Sequence, residues 1–345
     1  MRKCKVIAVT NQKDGVGKTT TTTNVAIGLE RYGYKVLIVD FDPQGELTTS
    51  LGWKSNDALD CSVSNLLDAY INDKEIDYSS LILKHKEDVD VIPASIELAD
   101  MDIRLVSVIN REQTLSSCIE PLRDDYDFIL IDCPPSLGML TINALSAADE
   151  VLIPVQVQFL PAKGMTQLLQ TESKVQRKTN TNLKVAGIVM ALVDMNTTVA
   201  KSTIETIQES FGKNIRVFDT IIPKATKASE ATIAGVSIYA YAKDSKAAKA
   251  YDNLTNEIIS EQKVKHKDRD CRQEKNMKNN SVHLIGTLTR DIELSKNSKG
   301  NSFVRFSLAC IRDNKPFTDF INCIAFGEVA NALCNIFIVL PEQLL

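Results

Sequence analysis

The 345-residue chain has no run near the ~18 consecutive apolar residues that a membrane-spanning helix needs, and its nearest approach, 151–160, is interrupted by Pro154, Gln156 and Gln158. A signal-peptide core is missing too, because the basic start Met1-Arg2-Lys3 is followed by an apolar stretch, 6–9, that is too short. The eight cysteines contain no Cys-x-x-Cys pair, and with three scattered histidines they form no zinc spacing. Reduced, structural thiols are expected. An overall basic field is also lacking, since 40 Lys and Arg against 44 Asp and Glu leave a net charge of -4. Any grip on nucleic acid must then come from a local patch. These absences leave a cytoplasmic globular protein as the expectation, with length for about two domains at ~100–200 residues each.

What is present is an alternation of short apolar runs with helix-compatible stretches. Residues 5–10 read as a strand, 11–17 as a glycine-containing loop and 18–32 as a helix ended by Gly33. Further strand-like runs follow at 35–40, 89–93, 128–132, 151–154, 185–189 and 217–222. Nearly continuous apolar strands separated by helices predict a parallel α/β sheet wound on both sides. The texture changes near residue 260: positions 261–280 carry seven Lys/Arg and four Asp/Glu with hardly any apolar residue, as a solvated linker does. Beyond it, 282–289 and 303–308 alternate like half-buried strands around a turn at 296–300. The expected organisation is an α/β domain over 1–260, a linker over 261–280 and a β segment over 281–345.

The chemistry concentrates in Gln12-Lys13-Asp14-Gly15-Val16-Gly17-Lys18-Thr19, placed between a strand and a helix, where backbone N–H groups and the helix dipole can cradle phosphates. Lys18 would reach the β/γ-phosphates of a nucleotide and the Thr19 hydroxyl would bind Mg²⁺. The strict G-x-x-x-x-G-K-[ST] pattern fails at Gln12, which stands where its first glycine belongs. In an open parallel sheet ligands sit at the carboxyl ends of strands, and Asp40, Asp42 and Asp132 occupy such ends. Asp132 suits a magnesium-holding acid or a plain helix cap. Asp42, before Pro43-Gln44-Gly45, suits a turn equally well.

Together Lys13 to Thr20, Val39-Asp40-Phe41-Asp42-Pro43-Gln44-Gly45 and Asp132-Cys133-Pro134-Pro135 resemble the ParA/Soj partition ATPases, P-loop proteins with a deviant Walker motif. The likeness runs from residue 5 to about 258 and includes 91–97, 153–156, 187–189 and Ile222-Pro223. It implies a P-loop NTPase fold and an ATP- and Mg²⁺-dependent switch of slow, partner-stimulated turnover. In that reading Asp14, Gly15, Val16, Gly17, Lys18, Thr19, Thr20, Ile222 and Pro223 hold the nucleotide. Thr19, Asp40 and Asp132 serve the magnesium shell, and Asp42 orients the attacking water. Lys13 aligns with the signature lysine that crosses an ATP-dependent homodimer. Asp14 departs from the family's glycine, a residue suited to positive φ or close backbone approach. A carboxylate 4 Å from another like charge costs on the order of 4 kcal/mol at an effective dielectric of 20, so weakened dimerisation or hydrolysis is expected.

The resemblance also implies non-specific double-stranded DNA binding, with Lys224, Lys227 and Lys246 at basic family positions, nucleoid association, and a ParB-like centromere-binding partner. Such phosphate contacts are sequence-independent and salt-sensitive. An ordinary solvated helix face is the competing reading of these lysines. With no helix-turn-helix ahead of the first strand, operator binding is not expected. Residues 280–294, 303–309 and 319–327 resemble bacterial single-stranded-DNA-binding proteins, with Phe320 and Phe326 aligned to base-stacking positions, a contact of ~1–3 kcal/mol per base. That match stops near Leu333, before the strands that would close a five-stranded barrel, so an incomplete OB-fold-like segment that does not fold alone is expected. Met277 suits the start of a second, fused and interrupted reading frame. Two functional alternatives stand beside the ATPase: a nucleotide- and DNA-binding module impaired in hydrolysis by Asp14, and single-strand binding through the carboxyl-terminal segment. A MinD-like membrane cycle would need a basic amphipathic tail helix, and a nitrogenase-iron-protein-like reductase would need a companion for Cys133.

Overall fold

The seven apolar runs become strands, and the central ones are buried on both faces. In the computed structural model, which describes residues 4–55, 59–157, 162–260, 287–288, 294–296, 302–311 and 318–326, the chain divides into two units, 1–265 and 266–345. The first unit holds β1 (Lys5–Val9), β2 (Val36–Asp40), β3 (Leu83–Lys84), β4 (Asp90–Ile92), β5 (Phe128–Asp132), β6 (Glu150–Gln156), β7 (Lys184–Val193) and β8 (Val217–Pro223). They form one eight-stranded sheet in the order β3-β4-β2-β5-β1-β6-β7-β8. All neighbours are parallel except the edge pair β3–β4. Alternate side chains feed two cores: Val6, Ala8, Leu37, Val39, Ile129 and Ile131 on one face, Ile7, Val9, Ile38 and Leu130 on the other. Each such Val, Leu or Ile side chain, fully buried, contributes about 1.5–3 kcal/mol, so polar residues are displaced to the strand ends, where the acids stand.

The helices that cover the sheet are α1 (Lys18–Arg31), α2 (Glu46–Ser50), α3 (Val63–Ile71), α4 (Tyr78–Leu81), α5 (Leu98–Arg104), α6 (Thr114–Ile119), α7 (Met139–Ala147), α8 (Ala162–Lys178), α9 (Thr198–Phe211), α10 (Thr226–Ala234) and α11 (Ile238–Ala242), with α12 over 246–260. Among the described residues no helix is long and apolar enough to cross a membrane. α1 contains five consecutive threonines, β-branched residues of modest helix propensity. Packing holds it instead: Thr21, Val25, Ala26 and Leu29 are fully buried, and Asn24 Oδ1 accepts the backbone N–H of Ile238 at 2.9 Å.

Gly28 marks where α1 meets α12. A Cβ there would lie 2.4 Å from Thr255 Oγ1 and 2.8 Å from the Tyr239 hydroxyl, and Thr255 is itself fixed by donating to the Tyr251 carbonyl at 2.8 Å. Gly28→Ala is expected to destabilise the domain, because overpacking of ~1–3 kcal/mol exceeds the gain of up to ~1 kcal/mol in helix propensity. Urea unfolding reads the difference, and an unchanged or raised midpoint would refute it.

The second unit is antiparallel. β9 (Thr287–Leu288) and β10 (Leu294–Lys296) both pair with β11 (Ser302–Ile311), which pairs along its length with β12 (Thr318–Phe326). Phe320 stands opposite Ala309 and Phe326 opposite Phe303, and their side chains lie outside the described residues. The expected linker, 261–280, and the segment beyond Phe326 also lie outside them.

Candidate functional site

Hydrogen bonding shapes the loop between β1 and α1 before any ligand is considered. Asn11 Nδ2 donates to the Pro154 carbonyl at 2.7 Å while its Oδ1 accepts the Lys13 N–H at 3.0 Å. Gly15 (φ 68°) and Gly17 (φ 87°) adopt the left-handed conformation that favours glycine. Asp14 is not among the positive-φ residues, so the backbone at this position does not demand glycine. Its carboxylate is 82% exposed, accepts the Gly15 N–H at 2.8 Å, and lies 3.8 Å from Lys18 Nζ, whose side chain is only 5% exposed. The acid thus leans over the loop's buried cation. Lys13 is exposed on the outer rim.

β5 and β2 bring the two strand-end acids side by side, with Asp40 and Asp132 directly paired in register. Both are buried. Thr19 Oγ1 donates to Asp132 Oδ2 at 2.7 Å and Thr22 Oγ1 to Oδ1 at 3.1 Å, tying the first turn of α1 to β5. Burial, with the nearby Asp40 charge, pushes the Asp132 carboxyl up to about 8 against the hydroxyl bond from Thr19. Burial also raises Asp40 to about 6, opposed by its bonds from Thr48. Thr48 donates to Asp40 Oδ2 through its backbone N–H at 2.8 Å and its hydroxyl at 2.6 Å. The Thr48 oxygen in turn accepts the Ala94 N–H at 3.1 Å. The turn role weighed for Asp42 is present, since its Oδ1 accepts the Gln44 N–H at 3.0 Å and its carbonyl accepts the Gly45 N–H at 2.9 Å. The side chain remains half-exposed at the mouth of the site.

A cleft of about 380 Å³ opens beside the loop between α1, α2 and α10, lined by Thr19, Thr20, Gln44 and Glu46 among others. The oxygen donor set fits magnesium, a hard cation held by one or two carboxylates together with substrate phosphates. Among the described residues no group of three or more His, Cys, Asp or Glu could hold a metal by itself. Buried acids with raised affinity for protons are groups that a cation would relieve.

Ile222 is buried in the core, while Pro223 is half-buried and closes β8. Lys224 follows the strand, Lys227 lies on α10 and Lys246 begins α12; all three are exposed. Cys133 is fully buried and its thiol is pushed well above its ordinary range by burial, as a core thiol rather than a cluster ligand. Sequence reasoning missed Asn11, Thr22, Thr48 and Leu192. Leu192 has a left-handed φ of 54° at the end of β7, and a Cβ at Gly17 would stand 3.8 Å from its side chain.

Comparisons with known proteins agree with this geometry. The AAA domain family matches residues 4–185, and the single-strand binding protein family matches residues 279–338. The sporulation initiation inhibitor protein Soj of Bacillus subtilis is 41% identical over 256 residues, 74% of this chain and 98% of its own length. The chromosome-partitioning ATPase Soj of Treponema pallidum is 41% identical over 258 residues, 74% and 97% of the two chains. Among solved structures, a cobyrinic acid a,c-diamide synthase of Mycobacterium smegmatis with bound ATP analogue and magnesium is 34% identical with a TM-score of 0.66, covering 75% of this chain and 96% of that one.

Proposed function

The chain belongs, across its first three quarters, to the Soj/ParA family of P-loop partition ATPases, and from that premise we propose that it binds ATP with Mg²⁺, dimerises on doing so, and uses non-specific DNA as a surface for segregating a replicon. The observation that carries the reading is the Thr19–Asp132 hydrogen bond of 2.7 Å, which sets a loop hydroxyl and a strand-end carboxylate together beside the buried Lys18. In this reading the loop N–H groups and Lys18 offset charge on the phosphate oxygens, Asp42 orients water, and Lys13 reaches across the dimer to the partner's nucleotide. Magnesium, when bound, neutralises the β- and γ-phosphates. Asp132 and Thr19 would hold it, and Asp40 would add a second nearby carboxylate. Catalysis by positioning and cations alone, without a strong base, supports slow turnover raised by a ParB-like partner. Residues 1–260 act as the ATPase domain, 261–280 as a linker and 281–345 as a partial single-strand-binding segment.

ATP turnover without any organic-acid acceptor, increased by double-stranded DNA and a ParB-like protein, tests this reading and separates it from the synthase activity that names the Mycobacterium smegmatis structure. Absence of turnover with retained ATP binding would favour the hydrolysis-impaired module instead. Asp14→Gly is expected to increase the ATP-dependent dimer fraction in light scattering, because it removes a carboxylate from the phosphate approach. Equal dimerisation of the two chains would remove Asp14 as a brake. Replacing Lys224, Lys227 and Lys246 together by Ala is expected to weaken DNA binding and to flatten the log–log salt dependence by about 0.9 per lost phosphate contact. Unchanged affinity and slope would place the DNA surface elsewhere.

A further inference from the structure

We propose that the cleft between α8 and the end of α9 binds a small amphipathic anion, a ligand with one apolar body and one carboxylate, sulfonate or phosphate head. The cleft measures about 550 Å³, within the ~300–1,000 Å³ range of small-molecule sites. Its wall is apolar: Leu169 of α8 lines it with Phe211 at the end of α9 and Ile215 in the turn that follows, and all three are half-buried rather than sealed in the core. Its rim is cationic. Lys174 and Arg177, three residues apart on α8, are both exposed, and among the described residues that line the cleft there is no carboxylate.

Arg177 is held for such a task. Its Nε donates to the Ser173 carbonyl at 3.1 Å, which anchors the guanidinium to the helix and leaves its outer N–H groups directed away from that bond. Among the described residues neither Lys174 nor Arg177 has an ion-pair partner. Two uncompensated cations against a low-dielectric wall favour an anion whose apolar part covers that wall. A purely polar anion would leave Leu169, Phe211 and Ile215 wet, and an uncharged apolar ligand would leave both cations unanswered. α8 leads into the start of β7 and α9 into the start of β8, so the cleft lies at the strand edge opposite the phosphate loop and is separate from the nucleotide site.

The test uses the full chain with ADP and Mg²⁺ in excess to fill the nucleotide site and 8-anilinonaphthalene-1-sulfonate as the fluorescent probe. Saturable probe binding is expected, displaced by octanoate at least tenfold more effectively than by the uncharged octanol. The double variant Lys174→Gln/Arg177→Gln should bind the probe at least tenfold more weakly with an unchanged melting curve and ATP turnover, since both side chains are exposed. Equal competition by octanoate and octanol, equal probe affinity in the double variant, or no saturable binding would each overturn the assignment. The octanoate and octanol comparison needs no variant and stands if the double variant misfolds.

Discussion

Lys18→Ala is expected to weaken ATP binding by about 30- to 4,000-fold, the range that corresponds to roughly 2–5 kcal/mol for truncating one partner of a buried charge-assisted contact. The side chain is only 5% exposed and meets a single counter-charge in the loop, the Asp14 carboxylate at 3.8 Å. The several negative charges of a triphosphate brought to the same loop would depend on that ammonium far more than Asp14 does, because Asp14 keeps water and the phosphates would not. The loop N–H groups contribute as well, so binding falls without vanishing. Isothermal titration with ATP and Mg²⁺ measures the loss. Affinity within threefold of the unaltered chain would mean that the nucleotide does not sit on this loop.

Asp132→Asn is expected to abolish magnesium-dependent ATP turnover while making the metal-free protein more stable. The carboxylate is fully buried and raised to about 8, far above the ~3.9 of an unfolded aspartate. The folded chain therefore holds a proton that the unfolded chain releases between those values. Its contribution to stability is fully present below about pH 4 and is lost as pH rises through about 8. The amide is neutral at every pH, so the stability gap between variant and unaltered chain should widen from pH 4 to pH 8 in EDTA. A shift of ~2–4 °C in melting temperature is expected for each kcal/mol of relief. Adding ATP and Mg²⁺ should reverse the order, because ligand stabilises only the chain able to hold it. A variant less stable than its parent above pH 8 without metal would show Asp132 to be a structural acceptor for Thr19 and Thr22.

Much of this was legible in the sequence because parallel strands covered on both faces must be apolar throughout, which leaves the acids conspicuous at their ends. The runs ending at Asp40 and Asp132 became β2 and β5, and the glycine-containing stretch 11–17 became the loop between β1 and α1. The family likeness over residues 5 to about 258 was legible for the same reason, as several short motifs in order. The edge strand β3 was not, since two residues carry no period. α2, five residues long, was equally silent. The supporting hydroxyls and amide were hidden by distance along the chain: Thr22 finds Asp132 across 110 positions, and Asn11 finds Pro154 across 143. Asp14 raised both a backbone and a charge question in the sequence; the fold gives it no positive φ and provides its carboxylate with a cation and a backbone donor.

Thr48 gathers three stretches at one oxygen atom: the end of β2 through Asp40, the body of α2 on which it sits, and the strand exit at Ala94. A pull on the Asp40 carboxylate is therefore felt by a whole moored assembly, not by a lone side chain. The Asp40 carboxylate cannot shift without carrying or breaking the bonds that moor α2 and Ala94 to it.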